Sequence, residues 1–371
     1  MDRLELKDRL GSNRLAEDAD LHCSVNSVGR HWRGLPAAVA GVDHSRFGHR
    51  YPAWLSRSQQ RRSACISSMT TRLPVALVQL QPGENAVKNR DAAEAWLERA
   101  LEPPAGTPQP RLLMLPEIWN APYAATCFMD YAEPVPEPGI LLESGPSPSL
   151  AMVARLARRH CVSVIAGSIP EQGADGRLYN TATVLGPDGR LLAKHRKLHL
   201  FDVDVPGGIR FRESDSLSGG NQLTVLDGGD DLLGTGLTEP PNLGLLICYD
   251  IRFPELALLM QQQLGATVIA CPAAFNTTTG PRHWELVMRA RAVDTQCFVL
   301  ACSSARPHAD GGYPSYGHSL VIDPWGTVLA EAGTGEQVLH AQLDLAQVGL
   351  ARRAIPTGQQ RRHDLYQLRQ S

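Results

Sequence analysis

From Leu73 onward the chain alternates short apolar runs with turns rich in glycine and proline. Val75 to Leu80 is apolar except at Gln79 and is stopped by Pro82-Gly83, which predicts a buried strand. Over Asn85 to Leu101, the residues Ala92, Ala95, Trp96 and Ala100 share one stripe and predict an amphipathic helix. Leu112 to Leu115 predicts a strand halted at Pro116, Leu150 to His160 a helix, and Val162 to Ile169 a strand. Tyr179 to Leu185 and Leu191 to Lys197 flank Pro187-Asp188-Gly189 and predict a hairpin. Further strands are predicted over 243–248, 266–271, 298–301, 319–322, 327–331 and 338–343, with helices over 254–264 and 284–295. Helices alternating with strands, some of them in hairpins, indicate an α/β layered domain with mixed sheets. Asp227 to Asn242, rich in Gly, Asp and Pro, predicts an inserted surface loop.

Residues 1 to 68 lack this periodicity. Their first part carries the acids Asp2, Glu5, Asp8, Glu17, Asp18 and Asp20. Their second part sets Arg30, Arg33, Arg46, Arg50, Arg57, Arg61 and Arg62 against the lone acid Asp43. The second part has the composition of an organelle transit segment; the acidic start does not. The expected organisation is an N-terminal extension over 1–68, disordered or targeting, and one folded domain over 69–371. The expected location is the cytoplasm, or the mitochondrion or another organelle if residues 1–68 are a transit segment.

Composition narrows the function. With 43% hydrophobic and 20% charged residues the chain reads as globular, not disordered. Lys plus Arg is 36 and Asp plus Glu is 38, a balance that offers no basic surplus for nucleic acid. The longest apolar runs, such as Leu243 to Cys248, fall far short of the roughly 18 residues a membrane helix needs. The eight cysteines are too sparse for a disulfide scaffold and include no Cys-x-x-Cys pair, which argues against structural zinc. They read as buried reduced thiols.

Cys248 invites a second reading. It ends an apolar run and is followed by Tyr249-Asp250-Ile251-Arg252-Phe253-Pro254, with a helix predicted from Pro254. A strand–turn–helix corner sets a thiol beside backbone N–H groups, which lower its pKa and supply an oxyanion hole. Alone, the residue reads rather as a buried core cysteine. Glu117 ends the strand at Leu115-Pro116, where a shielded carboxylate can serve as general base, or simply be solvated. Lys197 is a candidate for holding an oxyanion, or one charge in a basic run, and Glu213 alone carries no signal.

Together these residues resemble a family. Leu115-Pro116-Glu117, Lys197-Leu198-His199-Leu200-Phe201 and Ile247-Cys248-Tyr249-Asp250-Ile251-Arg252-Phe253-Pro254-Glu255 are similar, in order, to the Glu, Lys and Cys motifs of the carbon–nitrogen hydrolase (nitrilase) superfamily. The resemblance runs from about Arg72 to Tyr366. Its omega-amidase branch is resembled by Phe201-Asp202-Val203-Asp204-Val205-Pro206-Gly207, Phe211-Arg212-Glu213-Ser214, Phe275-Asn276-Thr277-Thr278-Thr279-Gly280-Pro281 and the ending Arg361-Arg362-His363-Asp364-Leu365-Tyr366. The resemblance implies a four-layer α-β-β-α sandwich of the nitrilase type that pairs as a homodimer. It implies a triad of Cys248, Glu117 and Lys197, with Glu213 as an additional active-site acid. Residues 1–68 and the length of 227–242 depart from the family pattern.

The implied chemistry is hydrolysis of a small amide through a Cys248 thioester, with Lys197 and the backbone N–H of Tyr249 as oxyanion donors and no metal or organic cofactor. The substrate class is a dicarboxylic acid monoamide such as 2-oxoglutaramate or 2-oxosuccinamate. Arg252, Arg282, Thr278 and Thr279 are the candidates for its distal carboxylate. The alternatives are a deaminated glutathione amidase and a catalytically silent interaction protein of the same fold. Asp250, Arg252, Glu255, Arg289 and Arg291 are expected to form buried ion pairs that set the Cys248 corner, and His199 and His283 to be structural hydrogen-bonders. Asn276-Thr277-Thr278 matches a glycosylation sequon that a reducing compartment would leave unused.

Overall fold

The computed structural model describes residues 70–142, 144–233, 236–307 and 312–370. The expectation for residues 1 to 68 lies outside them. The architecture follows from strands that are apolar on both faces. In β1 (Arg72–Gln79), Leu73, Val75 and Leu77 face one way and Ala76 and Val78 the other, and all are buried. A strand covered on both sides needs a layer on each side, so its run is nearly continuous rather than alternating.

β1 pairs antiparallel with β14 (Gln337–Asp344) and parallel with β2 (Leu112–Met114). The sheet continues through β3 (Ser163–Gln172), β4 (Leu178–Leu185) and β5 (Leu191–Arg196) in the order β14-β1-β2-β3-β4-β5. A second six-stranded sheet has the order β13-β12-β11-β10-β9-β8. Its strands are β8 (Thr224–Leu226), β9 (Leu243–Leu245), β10 (Val268–Ala273), β11 (Phe298–Ser303), β12 (Leu320–Ile322) and β13 (Val328–Glu331). The sheets meet through Leu73, Val75, Leu77, Leu112 and Met114 on one side and Val268, Ala270, Phe298, Leu300 and Val321 on the other. Helices α1 (Ala86–Ala100) and α2 (Pro148–His160) cover the first sheet; α4 (Pro254–Gln262) and α5 (Gly280–Thr295) cover the second. The result is the expected four-layer α-β-β-α sandwich.

The structure corrects the sequence reading in places. α1 buries Asn89, Ala93, Leu97 and Ala100, whereas Ala92 and Ala95 are exposed. The alanine-rich helix offered two stripes, and the one carrying Leu97 won because a leucine buries more apolar area. The 227–242 insertion is not only a surface loop. It contains the turn of helix α3 (Asp230–Leu233), and Leu232, Leu233 and Leu237 lie in the seam between the sheets. Its carbonyls are held from the first sheet: Ser163 Oγ donates to the Leu232 carbonyl and the Arg111 guanidinium to that of Leu233. Not foreseen were the hairpin β6 (Asp202–Asp204)/β7 (Arg210–Arg212), β8, and α6 (Ala346–Ala354).

Candidate active site

Glu117 stands where β2 runs out, in a corner pinned by β3. Gly167 has φ +57°, and a Cβ there would lie 2.1 Å from the Pro116 carbonyl oxygen, so only glycine lets β3 approach this closely. Ser168 N donates to Pro116 O (3.1 Å), Ile118 N to Ser168 Oγ (3.0 Å) and Trp119 Nε1 to Ala166 O (2.7 Å). Ile118 itself adopts φ 48°, unusual for a β-branched residue and held here by these bonds. The corner fixes the carboxylate with no solvent exposure.

The end of β5 brings in Lys197, also fully buried. Its Nζ lies 2.9 Å from Glu117 Oε1 and 2.9 Å from Glu213 Oε1. Glu213 opens a 3₁₀ turn directly after β7, and its Oε2 accepts from Phe201 N at 2.7 Å. The candidate acids and the ammonium, scattered over nearly a hundred residues, thus meet in one ion-paired cluster. Burial lowers the Lys197 pKa, but the two carboxylates outweigh it and hold it well above the usual lysine range. Burial raises the Glu117 carboxyl above its ordinary value against the opposing pull of Lys197, and Glu213 adds to the rise.

Two members of this cluster were not foreseen. Tyr123 Oη lies 2.6 Å from Glu213 Oε1 and 3.1 Å from Glu117 Oε1. Asn180, in β4, donates from Nδ2 to Glu117 Oε1 at 2.8 Å. Asn180 had a visible signal, an amide inside a strand run otherwise made of apolar and hydroxyl residues. Tyr123 had none, because it lies in an irregular segment whose course only the tertiary fold sets.

Cys248 follows β9, which ends at Leu245, and opens a 3₁₀ turn over Cys248–Arg252 that precedes α4. The predicted corner is present, with Cys248 at φ 46°. Ala274 N donates to its Sγ at 3.5 Å. Burial, and then the Glu117 charge, push the thiol well above its usual pKa despite Lys197. The resting group is therefore a thiol, which would need a base to act as a nucleophile. Asp250 does set this corner, though not by the expected ion pairs. Its carboxylate accepts from Ile247 N (3.1 Å) and His199 N (2.8 Å) and lies 3.0 Å from His199 Nδ1. Burial opposes its ionisation, but contacts with His195 and His199 and the backbone bonds hold its pKa well below the carboxylate norm. Arg289 instead pairs with Glu285, and Arg291 with Asp294.

A narrow cleft of about 10 Å³ opens beside Cys248, walled by Phe201, Tyr249, Arg252, Phe275, Asn276 and Thr279. A larger cavity of about 480 Å³, lined by Pro134, Glu171 and Lys194 among others, contains none of the catalytic candidates. Of the four carboxylate-binding candidates, Arg252 and Thr279 reach the cleft. Thr278 packs against Gly208 next to the β6/β7 hairpin, and Arg282 is exposed outside the wall. Arg252 is half-buried, stacks 4.6 Å from the Phe275 ring centroid and meets His283 Nδ1 at 3.0 Å. Among the described residues it makes no ion pair with a carboxylate. Asn276 is fully buried, and its Oδ1 accepts from the backbone of Thr278 and Thr279, so the sequon is a structural turn.

The profile of the carbon–nitrogen hydrolase family matches residues 74–353. The chain is similar to omega-amidase Nit3 of Saccharomyces cerevisiae, with 40% identity over 300 residues covering 80% of this chain and 96% of that one. It is 42% identical to human omega-amidase Nit2 over 296 residues, covering 80% and 97%. Against the crystal structure of S. cerevisiae Nit3, described as a member of branch 10 of the nitrilase superfamily, the TM-score is 0.67 at 38% identity, covering 80% of this chain and all of that one.

Proposed function

The chain belongs to the carbon–nitrogen hydrolase family, and on that premise we propose that it is an omega-amidase. It cleaves the terminal amide of small dicarboxylic acid monoamides, such as 2-oxoglutaramate and 2-oxosuccinamate, to the dicarboxylate and ammonia. Cys248 is the nucleophile, Glu117 the general base and acid, and Lys197 with the backbone N–H of Tyr249 the oxyanion donors. As Cys248 Sγ bonds to the amide carbon, its proton passes to Glu117. Collapse of the tetrahedral intermediate expels ammonia, which leaves with that proton, and the acyl group remains as a thioester. Glu117 then deprotonates water, which attacks the thioester and returns the thiol. Glu213 also holds Lys197, its Oε1 lying 2.9 Å from Nζ. Every step uses protein groups, so no cofactor is required.

The observation that carries the substrate class is Arg252, a half-buried guanidinium in the same cleft as Cys248 with no carboxylate among the described residues paired to it. A distal substrate carboxylate supplies that partner, with Thr279 beside it. Steady-state kinetics on 2-oxoglutaramate, deaminated glutathione and an aliphatic nitrile test the assignment, together with the methyl ester of the distal carboxylate. Losing one charge-assisted contact costs roughly 1.5–3 kcal/mol, so the ester's kcat/KM is expected to fall about 10- to 100-fold. Equal values for acid and ester would eliminate the dicarboxylate reading. We further infer a homodimer joined through a helical layer, supported by Leu286 and Val293 exposed on α5. Sedimentation of the purified protein tests it.

A further inference from the structure

We propose that Asn180 is a positioning residue for this chemistry: together with Lys197 it fixes Oε1 of Glu117 and thereby assigns Oε2 as the oxygen that takes and returns the Cys248 proton. The inference rests on Glu117 acting as the base in the reaction above. Asn180 sits in β4 with no solvent exposure. Its side-chain Nδ2 donates to Glu117 Oε1 at 2.8 Å, and its carbonyl accepts from Lys197 N at 2.8 Å. One residue therefore holds the base directly and also anchors the backbone of the lysine that is the other strong donor to Oε1, at 2.9 Å.

The titratable groups that act on the Glu117 carboxylate are Lys197 from the end of β5, Glu213 from the turn after β7, Tyr123 from the segment after β2, Cys248 from the turn after β9, Cys271 from β10 and Tyr313 from the segment between β11 and β12. Tyr123 has one hydroxyl hydrogen, and the 2.6 Å contact assigns it to Glu213 rather than to Glu117 at 3.1 Å. Asn180 is then the neutral donor that belongs to Glu117. Oε2, by contrast, is buried and has no N–H or O–H partner among the described residues. With Oε1 engaged by Lys197 and Asn180, Oε2 is the oxygen left to take a proton. The Cys248 thiol is the remaining neighbour that favours the charged form of this carboxylate. Without Asn180, both oxygens compete for Lys197, the carboxylate can turn about its terminal torsion, and its free oxygen is no longer presented to the thiol.

The test is Asn180→Leu, which removes the donor while keeping the branched outline of the side chain, with Asn180→Ser as a smaller replacement that cannot reach Glu117. Both leave the β4 main-chain bonds in place. Loss of a charge-assisted bond predicts a fall in kcat of about 10- to 100-fold, with KM within about twofold of wild type. The lost bond favoured the charged carboxylate, so the acid limb of the pH–rate profile should move to higher pH. Iodoacetamide labelling of Cys248, followed by peptide mass, should slow in the same variants. Unchanged kcat, acid limb and labelling rate, with only a lowered melting temperature, would make Asn180 merely structural and overturn the proposal. Labelling needs no substrate, so wild-type failure on dicarboxylate monoamides would remove the substrate assignment while the labelling rates still decide the role of Asn180.

Discussion

Lys197 is the residue whose removal tests the site's electrostatics most directly. Its side chain is fully buried between two carboxylates, each 2.9 Å from Nζ. Lys197→Met keeps the aliphatic stem and removes the charge, leaving Glu117 and Glu213 together without a cation. Breaking a buried pair from one side costs about 3–5 kcal/mol. At roughly 2 °C per kcal/mol, the low end for a large domain, the melting temperature should fall by about 6–10 °C at neutral pH. The sign of the pH dependence separates this cause from a packing defect. Burial already raises the Glu117 pKa, and Lys197 is the main influence lowering it, so the variant raises it further. A carboxyl with a raised folded-state pKa costs nothing below its unfolded value near 4.3 and its full penalty above its folded value. The deficit should therefore shrink as pH falls from 8 towards 5, which thermal unfolding followed by circular dichroism at each pH can read. Lys197→Met/Glu213→Gln should recover part of the loss by removing one of the two facing charges. A deficit below about 1 kcal/mol that does not vary with pH would refute the reasoning, because a buried, uncompensated carboxylate pair cannot be that cheap.

Cys248→Ala should abolish turnover with an unchanged melting profile, and active-site trapping should add mass to the Cys248 peptide; label found mainly on Cys271 would relocate the nucleophile. Leu232→Ala should destabilise the fold by about 2–5 kcal/mol in urea titration, because Leu232 lies in the seam between the sheets, and a change near zero would return the 227–242 insertion to the surface. A chain beginning at Met69 should fold and hydrolyse substrate, since the apolar pattern begins beyond it; insoluble protein would show that residues 1 to 68 are needed for the fold.

Much of this protein was legible in the sequence because its signals are local. Strands buried on both faces need continuous apolar runs, so β1, β3, β4, β10 and β11 could be read with ends correct to within a few residues. Glu117, Lys197 and Cys248 each sit where such a run breaks, and a break at a strand end is where a side chain can leave the core. The order of their motifs carried the family and, through it, the four layers. The tertiary structure decided what depends on partners distant in the chain. β14 lies against β1 across some 260 residues, a pairing no periodicity encodes. Which stripe of α1 turned inward, and whether Leu232 and Leu233 would be covered, depended on the surface each met. Asp250 was expected among arginines and instead holds backbone amides and imidazoles, because the segment after β5 brings His199 to its carboxylate while Arg289 and Arg291 of α5 pair with Glu285 and Asp294. Asn180 and Tyr123 became parts of the site for the same reason. A buried carboxylate selects its donors from whatever the fold brings within about 3 Å, and that neighbourhood is a property of packing, not of sequence position.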